Sequence, residues 1–182
     1  MPLLFLVIAL LQPNARANAR AQTQAPAGSL MVLGEFSNMK FTEEHAYGYT
    51  VQLWRQGDQI IGFLQSSEGL AGDTPTGVLE EVQFDPRTQS LSFKAKLTMG
   101  VVLLAQGRQE PTHDLFEFHG ILGRAALAGA IGRRDMLRPT AKAEIRQVSL
   151  RKQSGENMIE FHSYAEWKKS ADQILKFRGP KW

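Results

Sequence analysis

Residues 90–97 read Ser-Leu-Ser-Phe-Lys-Ala-Lys-Leu, so Leu91, Phe93, Ala95 and Leu97 fall on one side of an extended chain and Ser92, Lys94 and Lys96 on the other. This period of two predicts a strand with one buried face and one solvated face. The same period continues in both directions. Tyr47, Tyr49, Val51 and Leu53 alternate with Gly48, Thr50 and Gln52. Gln56-Gly57-Asp58-Gln59 then turns the chain into residues 60–66, which makes a hairpin. Residues 76–84 place Val78, Glu80, Val82 and Phe84 on one face and end at Asp85-Pro86-Arg87-Thr88, a turn whose Pro presets φ at the second position. Residues 114–122 group Phe116, Phe118 and Leu122. Gly123-Arg124-Ala125 turns the chain, 126–134 returns, and 144–152 closes the series. With residues 34–41 in front, eight strands follow one another by local connections.

Eight short strands joined mainly by hairpins predict a mainly β fold, an eight-stranded antiparallel up-and-down meander barrel, because closure removes exposed strand edges. The interior of such a barrel is filled by side chains or holds one small ligand. A two-sheet sandwich is the alternative, and residues 99–112 are long enough to supply its crossover. After Lys152 the pattern changes. Residues 153–162 form a linker, and over residues 163–178 the apolar spacing becomes helical, with Tyr164, Trp167, Ala171, Ile174 and Leu175 on one face. Ser163 and Glu166 form a capping box, and Gly179-Pro180 ends the helix. The apolar stripe predicts a helix packed on the outside of the barrel. A partner-binding or membrane-surface helix is the other reading of the same stripe.

The chain has 182 residues, no Cys, and 21 Lys and Arg against 18 Asp and Glu. The absence of Cys excludes thiolate catalysis, Cys-ligated zinc and iron–sulfur clusters. Leu3 to Leu11 are nine consecutive apolar residues, too few to span a bilayer as a helix but suited to the core of a signal peptide. No Lys or Arg precedes them. Ala19-Arg20-Ala21 has the small-x-small form of a cleavage site, so residues 1–21 are expected to be a signal peptide and 22–29 a flexible lead-in to a barrel domain over 30–152. The expected address is periplasmic or secreted. Loss of Arg16 and Arg20 leaves a nearly neutral protein whose charge is uneven: residues 30–110 carry six basic and ten acidic side chains, and residues 111–182 carry thirteen and eight. No nucleic-acid motif accompanies the basic part, so a nucleic-acid partner is not expected. No transmembrane segment is expected after the leader.

The segment Glu68-Gly69-Leu70-Ala71-Gly72-Asp73-Thr74-Pro75-Thr76-Gly77 is dense in residues that shape loops. It is expected at one barrel mouth, with Asp73 and Thr74 able to hydrogen-bond an entering ligand. It lacks the Gly-Lys-Ser/Thr of a phosphate loop. Tyr49, Phe93, Phe116 and Phe118 are the expected aromatic lining of the interior. Glu80 shares the Val78 face and Arg146 the Val148 and Leu150 face, so an internal Glu80–Arg146 pair is a candidate polar anchor, or a structural pair. Glu43, Glu44 and His45 are consecutive and point apart, and His119 alternates away from Phe116 and Phe118, so no metal site is expected. No cofactor is expected either. No Ser or Thr has a base and an orienting acid in register, and Glu80 and Glu81 are adjacent, so no catalytic residue is assigned.

Gly34-Glu35-Phe36 at the first strand, eight meander strands, a basic residue in the last strand and a C-terminal helix together resemble the lipocalin and avidin-like barrels grouped as calycins. There a Gly-x-Trp opens the first strand and a cation from the final strand packs across the ring. The resemblance implies that Phe36 takes the Trp position and that Arg146 or Arg151 is the packing cation. The lipocalin disulfides and Thr-Asp-Tyr motif are absent. Residues 46–86 are also similar to exported bacterial proteins of unknown function. The expected function is that of an exported, non-enzymatic barrel binding a small apolar or amphipathic ligand. An envelope protein-interaction module docking through residues 163–182 or the basic face is the alternative.

Overall fold

A computed structural model describes residues 30–70, 74–104, 107–155 and 158–182. The proposed signal peptide, the lead-in and Asp73 lie outside these residues. The chain forms β1 (Met31–Ser37), β2 (Lys40–Phe41), β3 (His45–Gln56), β4 (Gln59–Leu70), β5 (Thr76–Asp85), β6 (Ser90–Leu97), β7 (Val101–Leu103), β8 (Gln109–Pro111), β9 (Asp114–Leu122), β10 (Ala126–Asp135), β11 (Glu144–Lys152) and α1 (Tyr164–Arg178). Eight of the strands make a closed antiparallel barrel in the order β1-β3-β4-β5-β6-β9-β10-β11, and β11 returns to β1 through the pairs Phe36↔Lys152 and Ser37↔Arg151. Two-residue β2 extends the edge beside β3. The connection over 99–112 is no crossover. It holds the small β7–β8 hairpin, which the sequence pattern did not signal because its strands are only three residues long.

The period-two faces point inward where the sequence predicted. Tyr49, Val51 and Leu53 from β3, Leu91, Phe93, Ala95 and Leu97 from β6, and Phe116, Phe118 and Leu122 from β9 join one buried cluster with Phe36, Leu127, Ile131, Val148 and Leu150. Phe93 and Phe118 stack at 5.0 Å, and Tyr49 meets Phe116 edge-on at 6.3 Å. The interior is thus occupied by side chains, and its four phenylalanines are each no more than 2% exposed.

One strand departs from simple alternation. The β5–β6 register shifts between Glu80 and Gln83, and Glu81 adopts φ 50°, a left-handed value for a non-glycine residue. The bulge inverts the faces on either side of it: Val78 points outward to the helix, Leu79 points inward, and beyond the bulge Val82 and Phe84 pack on the interior cluster. Glu80 consequently lies outside, 3.9 Å from Lys96, and Lys94 holds Glu81 at 2.6 Å.

Beneath the closed end of β1, Lys152 places its ammonium 5.9 Å from the centre of the buried Phe36 ring. Gly34, at φ 138°, makes room for this side chain, because a Cβ there would sit 2.6 Å from Lys152 Cε. The cation over Phe36 therefore comes from the last strand, but it is Lys152. Arg146 lies at the far end of β11, and Arg151 pairs with Ser37, next to Phe36.

A second apolar cluster lies outside the barrel. Trp54, Phe63 and Val78 on the outer faces of β3, β4 and β5 receive Trp167, Ala171 and Ile174 of α1. Phe63 stacks on Trp167 at 5.3 Å, and Trp54 Nε1 donates to the Ile159 carbonyl at 3.3 Å. The Ser163 hydroxyl accepts from the Glu166 amide as the sequence predicted, and the Glu166 carboxylate reaches back to the His162 amide, one residue before the cap. The apolar stripe of α1 is thereby used on the barrel. Trp167→Ala should cost about 3–5 kcal/mol in urea unfolding, as expected for loss of a large buried aromatic side chain; a change below about 1 kcal/mol would mean that the helix does not stabilise the barrel.

Candidate functional site

The two ends of the barrel differ in chemistry. The end bearing the starts of β3, β5, β9 and β11 and the ends of β4, β6 and β10 collects inward-pointing charges above the aromatic interior. Asp114 on β9 accepts from Arg133 Nε of β10 at 2.8 Å. Arg133 Nη1 reaches Glu68 of β4 at 2.8 Å, and the other oxygen of Glu68 meets Arg146 Nη1 of β11 at 2.9 Å. Arg146 also donates from Nε to Glu144 at 2.8 Å. β4 is adjacent to neither β10 nor β11 in the sheet, so Glu68 joins opposite walls. The result is a charged crossbar over the interior.

Each member is placed by the strand pattern. Arg133 continues the inward row of Leu127 and Ile131, Arg146 continues that of Val148 and Leu150, and Glu68 continues that of Leu64 and Ser66. Asp114 is almost fully buried and also accepts from the Met99 amide at 3.0 Å, which ties the base of the β7–β8 hairpin to the crossbar. Burial works against the Arg133 charge, but hydrogen bonding and attraction from Asp114, together with Glu68, outweigh it and raise its pKa. Beneath the bar, burial raises the Tyr49 phenol above its ordinary value. The Arg146 guanidinium opposes that rise, and Glu68 and Glu144 reinforce it.

The residues singled out in the sequence separate into groups. Tyr49, Phe93, Phe116 and Phe118 are together in the interior, and Arg146 stands at its mouth. Glu80 is on the outer wall, so the Glu80–Arg146 pair does not form. Its place is taken by Glu68–Arg146. Thr74 lies by the same mouth, where its carbonyl accepts from Thr76 Oγ1 at 3.2 Å and its side of the loop borders a cleft of about 300 Å³ with Ser37, Thr50 and Gln65. Strand alternation could have found Glu68 and Arg133, since each extends an apolar row by two or four residues. It was obscured for Glu68 because that residue opens the Gly-rich loop segment.

Exposed apolar side chains gather at this end of the barrel, partly on its outer wall. Phe41, Val101, Leu103, Ile145 and Phe177 are the five most exposed large apolar side chains of the described residues, between 66% and 75%, and all five stand at this end. The C-terminal tail completes the rim: Trp182 Nε1 donates to the Leu97 carbonyl at 2.9 Å and its indole stacks on His113 at 5.0 Å, while the Lys181 amide donates to Thr98 Oγ1 at 3.0 Å. Clefts of about 420 and 290 Å³ open beside the bar. Among the described residues no three His, Asp or Glu side chains converge as a metal site, and no helix is long and apolar enough to cross a membrane. No family model, curated protein or solved structure matches the chain.

Removing one crossbar partner leaves a buried charge without compensation, so Arg133→Met should lower stability by about 2–3 kcal/mol, and adding Asp114→Asn should restore part of that loss. Strict additivity of the two changes would show that the pair is not coupled. Tyr49 gives a pH signature: a raised phenol pKa means that the folded state holds its proton more tightly. That stabilisation is present below the ordinary value of 10.0 and is lost as pH rises through the folded value. The urea midpoint should fall less between about pH 9 and pH 11 in Tyr49→Phe than in the unmodified chain, and equal falls would detach Tyr49 from the alkaline transition.

Proposed function

We propose that this protein is an exported binding barrel of the calycin kind that takes a small amphipathic molecule at its crossbar end. The observation that carries this reading is the gathering of the five most exposed large apolar side chains at the one end of the barrel that also holds a floor of internally paired charges. Scattered exposed apolar residues are ordinary on a soluble protein, but a cluster of this kind marks a contact surface. The calycin reading is supported by closed eight-strand topology and by Gly34, Phe36 and Lys152 arranged as aromatic plug and covering cation. Export is supported by the apolar run and small-residue triplet of residues 1–21.

The packed interior bears on where the ligand sits. An apolar molecule entering the lumen would have to displace aromatic side chains and separate Glu68 from both arginines, whereas a ligand at the rim needs neither. The reading of α1 as a docking helix has less to work with, because the stripe that would engage a partner is buried on Trp54 and Phe63. An amphiphile panel tested by thermal melting and native mass spectrometry decides the proposal. A ligand at about one hundred times its Kd adds about 2.7 kcal/mol, which for a domain of this size raises Tm by roughly 5–10 °C. The double change Val101→Asp/Phe177→Asp should leave the unliganded Tm within about 1–2 °C and reduce the ligand-induced rise. A panel in which nothing is retained and nothing shifts Tm would sink the reading.

A further inference from the structure

We infer that the ligand cleft lies outside the lumen, between the ends of β4 and β6 and the C-terminal tail, and that it takes a single-chain amphiphile with an anionic head; this rests on the amphiphile-binding reading above. The cleft encloses about 420 Å³, within the range of small-molecule sites. Its C-terminal wall is fixed in place. The tail is fastened to the barrel by the Lys181 amide on Thr98 and the Trp182 indole on Leu97, so little ordering remains for the ligand to impose.

Two features of the lining define the occupant. Met99, Val101 and Phe177 supply apolar surface, and Val101 and Phe177 are 66% and 75% exposed. Arg178 makes no ion pair among the described residues, and the Lys181 ammonium reaches only the Lys176 carbonyl, at 3.5 Å. Glu68, the acidic residue of the lining, has both oxygens occupied by Arg133 and Arg146 and so does not neutralise them. The end of α1 contributes a partial negative charge of about one half, less than the two full positive charges facing it.

Calorimetric titration of the full chain with decanoate, below its micelle concentration, tests this inference. Decanoate should bind one to one, and decyltrimethylammonium should bind at least tenfold more weakly. Arg178→Gln/Lys181→Gln should weaken decanoate about tenfold, whereas Lys168→Gln/Lys169→Gln, an equal loss of charge elsewhere on α1, should not. Val101→Asp should also weaken it. Tm measured on every variant separates loss of binding from loss of folding. Equal binding of the cationic amphiphile overturns the head-group assignment. Decanoate binding that is insensitive to Arg178, Lys181 and Val101 overturns the location while leaving the amphiphile-binding reading standing. If no member of the wider panel binds, that reading fails as well.

Discussion

The pairing of β11 with β1 is the contact on which the rest of the molecule depends. Without it the eight strands are an open sheet with two unpaired edges and an apolar face of phenylalanines and leucines turned to water. Only a few residue pairs make the seam, and β1 is held far more extensively by β3. The seam is reinforced by side chains. Lys152 lies across Phe36, Gly34 leaves space for the lysine, and the Gln153 amide donates to the Glu35 carbonyl at 2.8 Å just past the paired residues. Phe36 belongs to the interior cluster, so the same few residues complete the barrel and the core.

The opposite end is closed by charge. Burying a carboxylate costs several kcal/mol unless it is paired and hydrogen-bonded. Asp114 meets that requirement through the Arg133 guanidinium and the Met99 amide. Because Glu68 bridges Arg133 and Arg146 from the opposite wall, the network also fixes the spacing of β4 against β10 and β11. One end of the barrel therefore carries an ion-pair bar with exposed apolar side chains beside it, and the other has no such network among the described residues. That asymmetry is what gives the molecule a face on which binding chemistry can be placed. The acidic and basic parts of the chain, separated in sequence, meet in this bar: Glu68 comes from the acidic first part, and Arg133 and Arg146 come from the basic last part.

The strands and the interior were largely readable because alternation is a local property: each side chain faces opposite to its neighbour whatever the rest of the chain does. Leu91 to Leu97 and Phe116 to Leu122 show this, as does the capping box at Ser163, whose hydrogen bonds span only three or four residues. The exception is equally instructive. Glu80 reads as an inward carboxylate because Val78, Val82 and Phe84 share its parity, yet a single bulged residue at Glu81 reverses parity within the strand. Nothing at positions 80–83 marks the bulge, since Glu is not the residue that φ 50° favours and Lys94 on the neighbouring strand helps to hold it there.

The sequence by itself determined the eight-strand meander, the aromatic interior and the capped terminal helix, because periodicity, turn residues and caps act over a few positions. The family resemblance put a cation from the last strand over Phe36 but named Arg146 or Arg151, and the structure supplies Lys152 instead. The tertiary structure decided the closure register that selects Lys152, the outer wall that receives Trp167, and the partnership of Glu68 with Arg133 and Arg146. These depend on which strands stand opposite one another across the lumen. Such distances follow from the closure and stagger of the whole barrel, and no segment of the chain contains them.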